Sequence, residues 1–364
     1  MSPPILRTPH HGRRLWLSLT GCAAIALVVA LVLVPRRQAH APERGAALPL
    51  DGRWVPSSLT LSVNTLLADP GWPTMLLAGT ADGVWRSGDG GALWHRDAAS
   101  PGDNVYALAA SSGAQTLLAG ASDGRVYARS GAAGGGWRPI SPILRAYPVF
   151  SLAVAPDGHS AIAGTTGALY RGQQTGNAWQ WRPVHASSGA AITSIVWTPW
   201  DPRLVFATIF DAAPPVLASR DGGRVWRPDA AGLPPTLPTQ SLHAGGPVAR
   251  EIVLSTMGGG VWLRAPEGGW HDISAGLPRR HAMPLAGDPG GAGTLFAGTM
   301  GAGVYARQEQ ANWRPLGYGL QGSSALILSI LAPSATHPFL LAGTAQGLFR
   351  YLPLAHRIAP RSPS

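Results

Sequence analysis

From residue 51 onward, apolar positions come in short runs of four to six residues, each closed off by Gly, Pro, Asp or Ser. No stretch after residue 35 shows the three-and-four spacing of an amphipathic helix. Short apolar runs between turn formers read instead as buried strands. In the segment 105–140 four such runs follow one another, at 105–110, 116–121, 125–129 and 136–140. Prolines stop the first run of several such groups, at Pro70, Pro156, Pro199, Pro289 and Pro333. The pattern predicts an all-β chain built from four-strand groups.

The groups repeat. A short apolar strand, then Ala-Gly-Thr, then Gly and an aromatic recurs at 76–85, 117–127, 161–170, 295–305 and 340–349, with weaker copies at 205–217 and 253–262. Aligned on their last residues (Trp85, Tyr127, Tyr170, Leu217, Trp262, Tyr305 and Phe349), the copies are 42 to 47 residues apart. A period of about 40–50 residues with four strands per period marks the blades of a β-propeller, here with seven blades. The last strand of each group carries Trp, often as Trp-Arg-Pro (137–139, 181–183, 226–228, 313–315), with Trp94 and Trp270 in equivalent places. Proline is tolerated there because an outer edge strand has donors to spare, and it blocks unwanted pairing. The seventh group ends after its third strand, while 52–56 (Gly-Arg-Trp-Val-Pro) belongs to no group of its own. That N-terminal strand is therefore expected to close the last blade.

The leader has a different pattern. Residues 15–34 form twenty consecutive uncharged residues. About twenty apolar residues at 1.5 Å each cross a hydrocarbon core of about 30 Å. The expected organisation is a tail at 1–14, a transmembrane signal-anchor helix at 15–34, a Pro/Ala/Arg-rich linker at 35–50 and a propeller at 51–364. Arg13 and Arg14 precede the span and Arg36 and Arg37 follow it, so the positive-inside bias is nearly balanced. The short N-terminal tail tips the orientation toward a propeller on the extracytoplasmic side of a bacterial cell membrane. Leu19-Thr20-Gly21-Cys22 also resembles a lipoprotein processing box, which makes Cys22 a candidate lipidation site, and Arg13-Arg14 resembles a twin-arginine signal. All three readings export the body.

Composition narrows the function. The chain holds 47 Gly, 34 Pro, 14 Trp and one Cys, so a disulfide framework and a multi-Cys metal site are excluded. Its net charge is +10, of which half sits in residues 1–50, and Lys is absent. The body has no basic run or stripe, so no nucleic-acid footprint is present.

Two segments share a turn motif. Ser87, Asp89, Gly91 and Trp94 fit Ser-x-Asp-x-Gly-x-x-Trp, and so do Ser219, Asp221, Gly223 and Trp226. The Asp can accept from turn amides, the Gly admits positive φ and the Trp packs back. This resembles the Asp-box, or BNR repeat, with a structural role for these eight residues. A single exported propeller of this kind resembles the photosystem II stability/assembly factor family and its relatives in non-photosynthetic bacteria; the sialidase superfamily shares the motif more distantly. The resemblance implies a non-catalytic, monomeric propeller that binds a protein partner in a membrane complex, with no cofactor. The alternative is a glycan-binding protein or a sialidase-type glycoside hydrolase.

Such a hydrolase needs converging acids. Only four Glu exist, Glu43, Glu251, Glu267 and Glu309, and none is placed at a channel mouth by the strand pattern. The His residues are scattered, so no metal site is expected. Connections between groups share a face with the turns between second and third strands, and that face is expected to surround the channel mouth. It should carry Arg145, Tyr147, His185, Arg279, Arg280 and His281 as partner-binding candidates, with Asp82, Asp103, Asp123 and Asp211 nearby. Arg279–Arg280 is the paired Arg of the body, suited to gripping carboxylates. Trp72, Trp197 and Trp200 lie outside the repeated Trp position; each is either a contact for a partner or, as is more common for such a Trp, packed between blades.

Overall fold

Runs such as Leu-Leu-Ala-Gly-Thr become strands because every residue in them is buried on both faces, between adjacent sheets. In Leu76–Thr80 and Leu117–Ala121 all five positions are buried. The molecule, a computed structural model of the full chain, describes residues 48–354 except 70–74, 112–115, 130–134, 146, 246–250, 279, 289–292, 309–310, 323–326 and 333–338. The predicted tail and span, with Cys22, and also Trp72, Arg279 and Glu309, lie outside the described residues. Among the described residues no helix is long and apolar enough to cross a membrane, and the regular structure is entirely β.

Antiparallel sheets form in chain order. The first runs Val63–Ala68, Leu76–Thr80, Gly83–Ser87 and His95–Arg96. Innermost strands touch their neighbours in a closed cycle. Val63–Ala68 meets Val105–Ala110, and the contacts pass through Ser151–Val154, Ala178–Trp197, Thr239–Ala244, Ala282–Gly287 and Ile327–Leu331 back to the start. The N-terminal strand closes the last sheet as expected: Gly52–Pro56 pairs with Gly347–Pro353, Trp54 facing Tyr351 and Pro56 facing Phe349. The linker boundary shifts, because Leu48 is buried in the core and Tyr351 Oη donates to the Pro49 carbonyl (2.8 Å). Residues 48–50 thus belong to the body.

The sheet count is corrected. Five sheets have four strands and one has six, so six sheets stand where seven were expected. The third and fourth sequence copies share the six-stranded sheet. Its strands Ser160–Thr175 and Ala178–Trp197 run on through the places where turns were expected. The cause is the pairing of Thr166 with Ala191, which stitches the turn at Gly167 to the connection leading into the next copy.

Core side chains lie between units. Leu67, Leu77 and Val84 of the first copy pack with Val105, Leu108 and Trp137 of the second. The glycine of Ala-Gly-Thr is where the next inner strand comes closest. A Cβ at Gly79, Gly120, Gly164, Gly298 or Gly343 would stand 2.5–2.8 Å from a γ-carbon of Val105, Val149, Ile192, Ile327 or Val63 respectively. Real Cβ atoms do not come so close, so a β-branched side chain occupies the space that glycine leaves. The two weak copies have Thr208 and Ser255 instead, and they bond where the others pack. Thr208 Oγ1 meets Thr193 Oγ1 (2.8 Å), and Ser255 Oγ donates to the Met283 carbonyl of the next copy.

Outer-strand tryptophans join neighbouring units. The indole of Trp137 donates to Asp97 Oδ2 (3.0 Å), Trp181 to the Ile140 carbonyl (3.1 Å), Trp270 to the Asp229 carbonyl (2.9 Å) and Trp313 to the Ile273 carbonyl (2.8 Å). Each acceptor follows the outer strand of the preceding copy. Trp54 repeats this from the other end of the chain, donating to the Leu316 carbonyl (2.9 Å). A buried indole N–H requires an acceptor, so the acceptor sets where one unit sits against the next.

Candidate functional site

The two Asp-box segments fold alike, atom for atom. Ser87 Oγ donates to Asp89 Oδ1 (2.7 Å) and accepts from the Gly91 amide (2.9 Å), while Asp89 accepts from the Ala92 and Leu93 amides (3.0 Å each). Ser219, Asp221, Gly223, Arg224 and Val225 reproduce these bonds at 2.8–3.0 Å. Gly91 (φ 83°) and Gly223 (φ 81°) take the left-handed conformation that the turn needs. Trp94 and Trp226 close the turn by donating to the carbonyls of Gly91 and Gly223. For both carboxyls burial pushes the pKa up, but the amide and hydroxyl bonds outweigh it and the net value is lowered. In each copy Oδ1 of the carboxylate is bonded within its own turn, so these acids serve the hairpin.

The mouth face is defined by backbone bonds between second-to-third-strand turns and connections. Leu144 N donates to the Gly124 carbonyl, Gly260 N to the Arg280 carbonyl and Gly322 N to the Gly301 carbonyl. Asp82 pairs with Arg96 (3.3 Å). Asp123 pairs with Arg125 (2.9 Å) and accepts from Tyr127 Oη (2.7 Å). Burial and that bond to Asp123 push the Tyr127 hydroxyl up to about 12. Asp103 and Asp211 have no ion pair among the described residues. Asp211 sits at positive φ (46°), with its amide on the Leu237 carbonyl, as a turn residue.

The six candidates do not converge. Arg280 is held by its own unit: Nη2 bonds Asp272 Oδ2 (2.6 Å) and the Gly259 carbonyl (3.0 Å), from a backbone at positive φ (54°). Burial raises the Asp272 carboxyl, but Ser274 and Arg280 outweigh it and lower the net value. His281 lines an open cavity of about 540 Å³ with Pro278, Thr299, Met300, Gly301, Ala302 and Gly322. Arg145 and Tyr147 lie three copies away, both exposed. Arg145 reaches across to the next turn, where a Cβ at Gly167 would overlap its Nη1. His185 is half-buried, and burial lowers its pKa, so it is neutral at neutral pH. Among the described residues no hydrogen bond or ion pair joins Arg145, Tyr147 or His185 to Arg280 or His281.

Of the two readings of Trp197 and Trp200 the packed one holds: both pack against buried clusters, and Trp197 donates to the Pro202 carbonyl (2.6 Å). Sequence reasoning passed over Ile143 and Met300, which are 51% and 46% exposed on the mouth face. Their only signal was a large apolar residue at a turn or connection outside the strand runs. Of the acids, Glu251 has its pKa raised by burial, with the charge of Arg307 opposing. It lies at the start of a second strand, away from the mouth.

No family model matches the chain, and no curated protein matches it. Solved structures do. The extracellular domain of BT4673 from B. thetaiotaomicron is 16% identical (TM-score 0.61), over 82% of this chain and 39% of that one. The GH74 enzyme of Niastella koreensis is 16% identical (TM-score 0.64), over 84% of this chain and 53% of that one. The WD40 β-propeller domain of Doa1 is 12% identical (TM-score 0.61), over 82% of this chain and 96% of that one. The chain thus spans about half or less of the first two. The fold is a β-propeller; at these identities the likeness extends to fold alone.

Proposed function

We propose that the chain is a membrane-anchored extracytoplasmic propeller that binds a partner protein through its mouth face and has no catalytic role. Its seven sequence copies are carried on six sheets, the third and fourth joined in one, and the inner strands touch in a closed cycle. The observation that carries the binding reading is the character of the mouth face. Exposed Ile143, Arg145, Tyr147 and Met300 are apolar or cationic, and Asp82, Asp123 and Asp272 are engaged by arginines of their own units. Tyr and Arg with apolar neighbours are the residue types that dominate protein–protein hot spots. The Asp-box likeness to assembly factors points the same way, and the anchor at 15–34 would present this face to membrane-bound partners.

The test is chemical cross-linking in intact membranes followed by capture of the full-length chain. A specific membrane-protein partner, lost when Tyr147 and Met300 are changed to Glu, is the expected result. Recovery of no partner, or turnover of an oligosaccharide by the purified chain, would overturn the reading.

A further inference from the structure

We infer that Arg145 is the anchor for an acidic side chain of the protein partner, with Ile143 and Tyr147 as its apolar flanks. This rests on the reading of the mouth face as a partner-binding surface and names the chemistry that the surface recognises.

The starting point is a difference among the arginines of that face. Arg96, Arg125 and Arg280 each have a carboxylate within 3.3 Å. Arg145 has neither an ion pair nor a hydrogen bond among the described residues. A guanidinium carries five donors in a planar fork matched to a carboxylate. One left with water alone on a folded surface has its full capacity available.

Its seat is also specific. The guanidinium lies over Gly167 at φ 85°, a position where a Cβ would displace it. That position is 3.5 Å from the Cα of Gly189, and around a Cβ at Gly189 the space is empty of protein to 4 Å. Two bare turns therefore form the floor beneath Arg145, from the turn of one copy and the connection to the next. Ile143 and Tyr147 stand two residues before and after it in the same loop, each about half exposed (51% and 50%), with Ile143 Cγ2 over Gly124 of the preceding copy. Apolar groups around an ion pair exclude water and lower the local dielectric, which strengthens it. A saccharide carboxylate would meet the same fork. However, the flanks offer apolar area rather than the ring of hydroxyl partners a sugar needs, which favours a protein side chain.

The experiment selects a phage-displayed library of random heptapeptides on the full-length chain in detergent. The enriched peptides are then measured by fluorescence polarisation against the unchanged chain, Arg145→Glu, Arg145→Lys and Met300→Glu. Enrichment of Asp or Glu beside apolar residues is expected. Arg145→Glu should weaken those peptides at least about tenfold and Arg145→Lys by less, with the near-ultraviolet dichroism of the tryptophans unchanged. Peptides that bind equally well to Arg145→Glu would overturn the anchor while leaving the face a binding surface, as would peptides lost only with Met300→Glu. No enrichment would overturn both readings. Arg145-dependent binding to a uronic-acid oligosaccharide in place of any peptide would overturn the choice of partner.

Discussion

Arg145 and Arg280 occupy corresponding connections on one face of the ring, and their surroundings are opposite. Arg280 follows another arginine in sequence and looks the better anion binder. It is bonded to Asp272 and to the Gly259 carbonyl, and its carbonyl accepts from Gly260. Arg145 is isolated in sequence, and it is the one left with its donors free among the described residues. Pairing with a local acid makes an arginine part of the scaffold. A floor of glycines without an acid leaves it available.

The comparison extends inward, and its largest effect is expected where an arginine is buried. Arg129 and Asp97 are a buried pair, with side chains 3% and 2% exposed, and Asp97 also accepts the Trp137 indole. Asp97→Ala leaves the buried Arg129 guanidinium with Asp69 alone, at 3.9 Å, and the Trp137 indole without its acceptor, a loss of up to about 3–5 kcal/mol, read as a shift in the urea midpoint followed by tryptophan fluorescence. Asp97→Asn should restore part of it by accepting the indole.

A buried base with no acid is the opposite limit. His243 is fully buried on the Gly245 carbonyl (2.5 Å), and burial depresses its pKa to about 4. The unfolded chain, at about 6.5, takes the proton first as pH falls. Stability is therefore complete above pH 6.5 and is lost progressively toward pH 4, by about 3 kcal/mol in total. Urea titrations at pH 7, 5.5 and 4.5 check this, and His243→Gln should flatten the dependence. A stability that rises on acidification would contradict it.

Freeing Arg280 is a smaller change. Both partners of the Arg280–Asp272 pair are about 40% exposed, so Asp272→Asn should cost no more than about 1 kcal/mol. The folded-state pKa of Asp272 is lowered. Its contribution is therefore present above the unfolded carboxyl value of about 3.9 and is lost as pH falls through the folded one. In the peptide measurements Asp272→Asn should create a second acid-binding arginine, detectable in the Arg145→Glu background. Smallest of all, Arg145→Ala should leave the urea midpoint within about 0.5 kcal/mol, because this side chain holds nothing in place.

Much of the ring was legible because a strand repeat is written locally. The alternation of apolar runs and turn formers, the Ala-Gly-Thr phrase and the outer tryptophan recur at a fixed interval. The stray Gly-Arg-Trp-Val-Pro at 52–56 matched an absent outer strand, and it pairs there. The Asp-box bonds were legible too, since all partners lie within four residues. The merging of the third and fourth copies was not. It depends on Thr166 pairing with Ala191, twenty-five residues on, across a turn that looked like any other. Nor were the indole acceptors about forty residues back.

By itself the sequence determined an all-β ring, its closure by the N-terminal strand and the bonding of the Asp-box turns. Those features follow from backbone hydrogen bonding and side-chain volume, which act the same way in every copy. The tertiary structure decided which charges are engaged. Arg280 finds Asp272 eight residues away across a turn, whereas Arg145 points out of its own copy onto the glycines of the next. Ion pairing depends on distances of a few ångströms between side chains of different elements, and only the assembled ring sets those distances.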